Sequence, residues 1–128
     1  MILVDSDVLI EVTRGRAAKI LAIWEELSGT AEPIACSPVT IAELWHGARA
    51  HEQEALTRLF HALACLPIDH AVGRQAGEYL SRYHRSHHLL LGDALIAATA
   101  SVHGAVLWTM NRKHFPMKDL SFFEGSPL

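Results

Sequence analysis

Three acids interrupt stretches that otherwise read as buried. Asp5 ends the apolar run Ile2-Leu3-Val4, Glu43 is flanked by Ile41, Ala42, Leu44 and Trp45, and Asp93 stands ahead of a run of small apolar residues over 94–102. A carboxylate in such company costs free energy unless it is paired, turned to solvent on the far face of a helix, or bound to a metal. Several carboxylates together suit a hard divalent cation such as Mg2+, which takes oxygen ligands, keeps several waters and needs only one or two protein carboxylates plus substrate phosphate oxygens. A cation held in this way activates water and stabilises the charge that develops during attack on a phosphodiester. Without it the acids would repel one another, so the apo protein is expected to be less stable than the metal-bound one. Each acid also has a plainer reading. Asp5, Ser6 and Asp7 are all good helix N-caps, Asp93 could cap a helix after Gly92, and Glu43 could lie on an exposed helix face.

The elements that would bring these positions together follow from the hydrophobic pattern. Ile2-Leu3-Val4 has the length of a buried parallel strand, and the carboxyl edge of such strands is where open α/β sheets bind ligands. A short helix is predicted over 6–13, then a second one carrying Ala18, Ile20, Leu21, Ile23, Trp24 and Leu27 and ending at Gly29. Pro33-Ile34-Ala35-Cys36 reads as the second strand. Ser37-Pro38 opens a helix with the proline in its first turn, where the missing donor costs nothing, and that helix runs to about Gly47. A helix over 54–64 leads into Leu66-Pro67-Ile68 as the third strand, and a long helix over 69–85 is broken by Ser86-His87-His88. After Gly92-Asp93 comes the helix over 94–102, closed by Gly104, then Ala105-Val106-Leu107-Trp108 as the fourth strand and 120–123 as a fifth. Short strands alternating with helices imply an α/β/α fold: one domain, 1–128, with a parallel sheet of about five strands covered on both faces.

Composition bounds the function classes. The 128 residues suffice for a self-standing core, half of them are hydrophobic and a fifth charged, which excludes a disordered chain. The formal net charge of −3 argues against indiscriminate nucleic-acid binding. Local basic clusters remain: Arg14, Arg16 and Lys19 after the first helix, and Arg112, Lys113 and Lys118 near the end. Acids in the middle with bases outside suit a metal-dependent enzyme acting on phosphates, while solvated helix faces fit each cluster individually as well. Cys36 and Cys65 match no metal-ligand spacing and read as buried thiols in a reducing cytoplasm. The longest apolar stretch, 89–110, is interrupted by Gly92, Asp93, His103 and Gly104 and cannot span a membrane, so a soluble cytoplasmic protein is expected.

Four segments carry a family likeness. MILVDSDVLI at the start, SPVTIAELWHGAR in the middle, LGDALIAATA later and LWTMNRKHFP near the end resemble, in order, the four signatures of PIN-domain ribonucleases. Within them the chain is most similar to the VapC-type toxins of toxin–antitoxin pairs. The resemblance spans nearly the whole chain; any one motif is weak and four in sequence are strong. It implies that Asp5, Glu43 and Asp93 form an acidic site for Mg2+ or Mn2+, that Thr109 and Asn111 shape the pocket after the fourth strand, and that Asp7 lies close by. It further implies an RNA substrate, a cognate antitoxin docked on the helices near the start, where a tryptophan such as Trp24 beside Leu27 could anchor it, and a homodimer. The chain departs from the family at one point. Many members have an aspartate three residues after the asparagine, and this chain has His114, which could orient a water, ligate a softer metal such as Mn2+, or pack beside Phe115.

Two rival readings stay open at this level. Asp5-Ser6-Asp7-Val8 also resembles the nucleophile motif of haloacid-dehalogenase-type phosphatases, with Asp5 as a covalent nucleophile and Asp7 as acid/base, although no second pair of acids follows Gly92-Asp93 at helical spacing. A catalytically silent PIN scaffold binding RNA or protein is the other. His84, His87 and His88 fit no common zinc pattern, and Glu43-x-x-His46 is a single copy of a motif that di-iron sites need twice.

Overall fold

The computed structural model describes residues 1–125, so the last three residues of the expected domain lie outside the described residues. In chain order the elements are β1 (Ile2–Val4), α1 (Ser6–Arg14), α2 (Ala18–Ser28), β2 (Ile34–Cys36), α3 (Pro38–Gly47), α4 (Gln53–Ala62), β3 (Ala64–Cys65), α5 (His70–His87), α6 (Leu91–His103) and β4 (Val106–Trp108). Single 3-10 turns lie at Ala50–Glu52 and Arg112–His114. The strands pair in parallel in the order β3-β2-β1-β4.

Side chains alternate along a strand, and here the alternation sorts two cores. Leu3, Ala35 and Leu107 face α5 and α6, where Val72, Ala76 and Tyr79 meet Ala94, Ala97 and Ala98. Ile2, Val4, Cys36 and Trp108 face the opposite way, onto Val8, Leu9, Leu27, Leu44 and Leu56 of α1 to α4. Every strand position of β1 is buried, which is why its sequence is a continuous apolar run with no alternation. The chain leaves β1 to lay down β2 and β3 on one side, then returns through α5 and α6 to place β4 on the other. The carboxyl ends of β1 and β4 therefore flank a topological switch point, the usual ligand crevice of an open α/β sheet.

Several boundaries differ from the sequence expectation. The third strand is Ala64–Cys65, not Leu66-Pro67-Ile68, and the preceding helix stops at Ala62. Leu66 donates the last ladder bond, to the Cys36 carbonyl at 3.0 Å, and Pro67 has no N–H with which to continue. The fifth apolar run adds one parallel bridge, Leu107 to Phe122, beyond β4. α5 continues past Arg85 to His87, where His88 closes it in the left-handed region at φ 52°. α6 begins at Leu91, so Leu90 is its N-cap and Asp93 lies within its first turn. Cys36 is buried but Cys65 is exposed, and the two are register partners on β2 and β3. Burial pushes the Cys36 thiol up to about 12, with Cys65 alongside adding to the effect. No helix among the described residues is long and apolar enough to cross a membrane.

Candidate active site

Asp5 is the first residue past β1 and the N-cap of α1, so the capping reading and the site reading hold together. Its Oδ1 accepts from the Ser6 N–H at 2.8 Å, and its Oδ2 accepts from the Thr109 hydroxyl at 2.9 Å. The register of β1 on β4 makes this possible, since the Asp5 N–H donates to the Trp108 carbonyl at 2.9 Å and sets Thr109 alongside. Only 8% of Asp5 is exposed. Burial pushes its carboxyl up to about 6; the charge of Asp7 acts in the same direction, and the hydrogen bonds from Thr109 and Ser6 oppose it.

Asp7 sits in the first turn of α1, where unpaired backbone N–H groups favour an anion. Its Oδ2 accepts from the Met110 N–H at 3.2 Å and from the Thr109 hydroxyl at 3.3 Å. Its Oδ1 is buried and has no hydrogen-bond partner. Burial raises the Asp7 carboxyl above its ordinary value, opposed by the N–H groups of Met110 and Val8, the Thr109 hydroxyl and the charge of His114. Asp93 is raised as well, by burial first and by the charges of Glu43 and Asp7, with His114 again opposing. Glu43 is on the exposed side of α3, as its plainer reading had it, yet it accepts from the Ser6 hydroxyl at 2.9 Å. The charges of Asp5, Asp7, Glu43 and Asp93 thus act on one another, although no three of these side chains are gathered closely enough to hold an ion among the described residues.

Thr109 is buried and carries one hydroxyl proton for two carboxylates. The Asn111 N–H donates to Thr109 Oγ1 at 3.0 Å, occupying a lone pair and leaving the proton to the acids. Asn111 therefore serves the pocket through its backbone, while its side chain is exposed. His114 lines a cavity of about 170 Å³ with Asp93, His87, His88, Leu89 and Leu90. Reasoning from the sequence missed Ser6, which bonds Glu43 and also Thr40 at 3.2 Å, and the Met110 N–H. The signal for Ser6 was its place between two acids, which equally suits a cap. On the other side of the molecule Leu27 is only 1% exposed and belongs to the core, and Trp24 is half-buried and stacked on Trp108 at 6.3 Å. A groove of about 390 Å³ nevertheless runs beside them, lined also by Pro33, Ile34 and Leu63.

The donor set fits a divalent cation. Among the described residues the ion pairs take Glu11, Glu32, Glu54, Glu78 and Glu124, and none involves Asp5, Asp7, Glu43 or Asp93. Carboxyls raised by burial and by one another, with a buried Asp7 Oδ1 that has no hydrogen-bond partner, would be stabilised by a cation bound among them.

The PIN domain family matches residues 2–119 of the chain. Ribonuclease VapC10 of Mycobacterium tuberculosis is 44% identical over 118 residues, covering 91% of this chain and 87% of its own length. Ribonuclease VapC19 of the same organism is 36% identical over 118 residues, covering 91% and 94%. A solved toxin–antitoxin complex from Klebsiella pneumoniae contains a chain 27% identical with a TM-score of 0.75, covering 94% of this chain and 95% of that one. These likenesses do not favour the phosphatase reading of Asp5-Ser6-Asp7-Val8. By the span of the match and the identity to its relatives, the chain belongs to the PIN-domain family, among its VapC ribonucleases.

Proposed function

We propose that this chain is the ribonuclease toxin of a toxin–antitoxin pair and hydrolyses RNA phosphodiesters with a Mg2+ ion held by Asp5, Glu43 and Asp93. The observation that supports the reading is the repulsion among these acids and Asp7: burial raises Asp5, Asp7 and Asp93, the charges of Asp7 and Asp93 raise Asp5 further, and those of Glu43 and Asp7 raise Asp93. None of the four forms an ion pair with a lysine or arginine among the described residues. When bound, Mg2+ supplies an activated water and stabilises the charge developing on the phosphate. No group of three or more His, Cys, Asp or Glu side chains among the described residues is already gathered to cage an ion. That is compatible with Mg2+, whose shell is usually completed by waters and substrate oxygens. The chain's own groups do the positioning. Thr109 donates to Asp5 and so favours its ionised form, Ser6 orients Glu43, and Asp7 is held beside them by Thr109 and the Met110 N–H. Asn111 holds Thr109, and His114 either orients a water or, with Mn2+, ligates.

The rest of the reading is biological. The whole chain works as one domain in the cytoplasm, as a homodimer, and is silenced by a cognate antitoxin whose apolar segment covers the groove beside Trp24. The Klebsiella complex supports such a partner.

Purified full chain should cut single-stranded RNA in Mg2+ and not in EDTA. Asp5→Asn and Asp93→Asn should each slow cleavage by roughly a hundredfold or more while melting cooperatively. Cutting by either variant at near the parental rate defeats the assignment. A parent that cuts no RNA in Mg2+ or Mn2+ is a silent scaffold.

A further inference from the structure

The acid site is not the roomiest feature of this surface. A cavity of about 450 Å³ opens where the end of α1 meets the 3-10 turn before α4, and Arg14, Arg16, Arg49 and His51 line it with Glu52 as the only acid. Arg16 is held by Glu11 at 2.8 Å, but neither Arg14 nor Arg49 closes an ion pair among the described residues. The Glu52 carboxylate is itself occupied by the Arg49 backbone N–H at 2.9 Å. Its carboxyl lies below the ordinary value, first because of that N–H and then because of the nearby charges of Arg14, His51 and Arg49. With Arg16 matched by Glu11, the guanidiniums of Arg14 and Arg49 against the single Glu52 carboxylate leave an electropositive enclave in a chain whose net charge is −3.

The enclave connects to the acids. A second, narrower cavity of about 50 Å³ shares Thr13, Arg14 and Glu52 with the first and has Glu43 in its wall. The two cavities therefore adjoin at Thr13, Arg14 and Glu52, and the second reaches Glu43, one of the four acids. Guanidiniums suit phosphate, offering planar forks of N–H donors that do not lose their charge.

We infer that this arginine-lined cavity binds the backbone phosphates of single-stranded RNA flanking the bond held at the acid site. The inference rests on the ribonuclease reading for the direction of the strand, but phosphate binding at Arg14 and Arg49 is measurable without cleavage. A polymer with one phosphate at the carboxylates must lay its neighbours beside them, and the cavity adjoining the one that Glu43 lines offers Arg14 and Arg49, which close no ion pair among the described residues. In an otherwise acidic protein it also concentrates the substrate beside the acids that would repel it.

The test is fluorescence anisotropy of a labelled single-stranded RNA with the full chain in EDTA, over a salt series. Arg14→Gln and Arg49→Gln should each weaken binding roughly tenfold at low salt and reduce the slope of log affinity against log salt by about 0.7. Arg49→Lys should keep the slope, since it keeps the charge, and Arg58→Gln, an exposed pair with Glu54, should match the parent. In Mg2+, Arg49→Gln should raise KM for a long RNA at unchanged kcat and leave a dinucleotide unaffected. Parental affinity and slope in both glutamine variants overturn the inference. So does a variant that binds RNA normally but loses a co-purified acidic protein partner, which would make the cavity a protein-docking site. If the parent binds through these arginines yet cuts nothing, the ribonuclease reading fails and the inference stands. If Asp5 and Asp93 prove essential while the arginine variants bind and cut as the parent does, the inference alone falls.

Discussion

Glu54 and Asp5 are carboxylates of one chain, and the fold treats them in opposite ways. Glu54 lies on an exposed helix face with the Arg58 guanidinium 2.9 Å away at i, i+4 spacing, an arrangement worth a few tenths of a kcal/mol. Asp5 is buried, has only hydroxyl and amide donors, faces two other acids, and is pushed up to about 6. A fold selected only for stability would cap α1 with an uncharged residue such as serine or asparagine at position 5. The difference separates carboxylates that decorate a surface from carboxylates kept for a ligand that brings its own charge.

The comparison breaks most visibly at Asp5. An acid whose folded value is about 6 against 3.8 holds its proton more tightly when folded, so its contribution to stability is greatest below pH 4 and is lost as pH rises to about 6. In EDTA, Asp5→Asn should therefore be more stable than the parent at pH 7 by up to about 3 kcal/mol, and the gap should close near pH 4. Denaturant melts at the two pH values measure it. Added Mg2+ should raise the parent's midpoint and not the variant's, and a parent indifferent to both pH and Mg2+ would place Asp5 with the surface acids. A smaller effect is expected at His114, which opposes the raised carboxyls of both Asp7 and Asp93. His114→Ala should slow cleavage several-fold, about 1 kcal/mol. A larger loss in Mn2+ than in Mg2+ marks ligation, an equal loss marks a held water, and no loss in either removes His114 from the chemistry. Least of all, Glu54→Gln should change stability by under about 0.5 kcal/mol, and added salt should erase the change.

Much of this was legible before any coordinates. β1, α1 and the run into Thr109 announce themselves because an apolar segment that stops at polar residues has few other uses, and Asp5, Glu43 and Asp93 stand out by interrupting such segments. What failed did so for physical reasons. Leu66-Pro67-Ile68 is more apolar than Ala64-Cys65, but a ladder follows available N–H groups, and an edge strand needs little burial. The sequence suggests Asp93 as a possible cap of a helix over 94–102, yet α6 starts at Leu91 and carries Gly92 as its second residue, so Asp93 lies in the first turn and is not the cap. Ser6 could not be paired with Glu43 from the sequence because 37 positions separate them and only the packing of α1 on α3 closes the gap. Trp24 stands out as a surface anchor because charged residues surround it in sequence, yet helical periodicity turns it half inward onto Trp108, with Leu27 fully in the core.

The hydrogen bond from Thr109 to Asp5 joins positions 104 apart. On a ribosome, the first 105 residues would expose Asp5, Glu43 and Asp93 with no β4 to seat Thr109 or to receive the Asp5 N–H. Parallel pairing over such a separation is also slow to form. The pocket thus closes only once β4 has been made, and whatever its acids do waits on that strand.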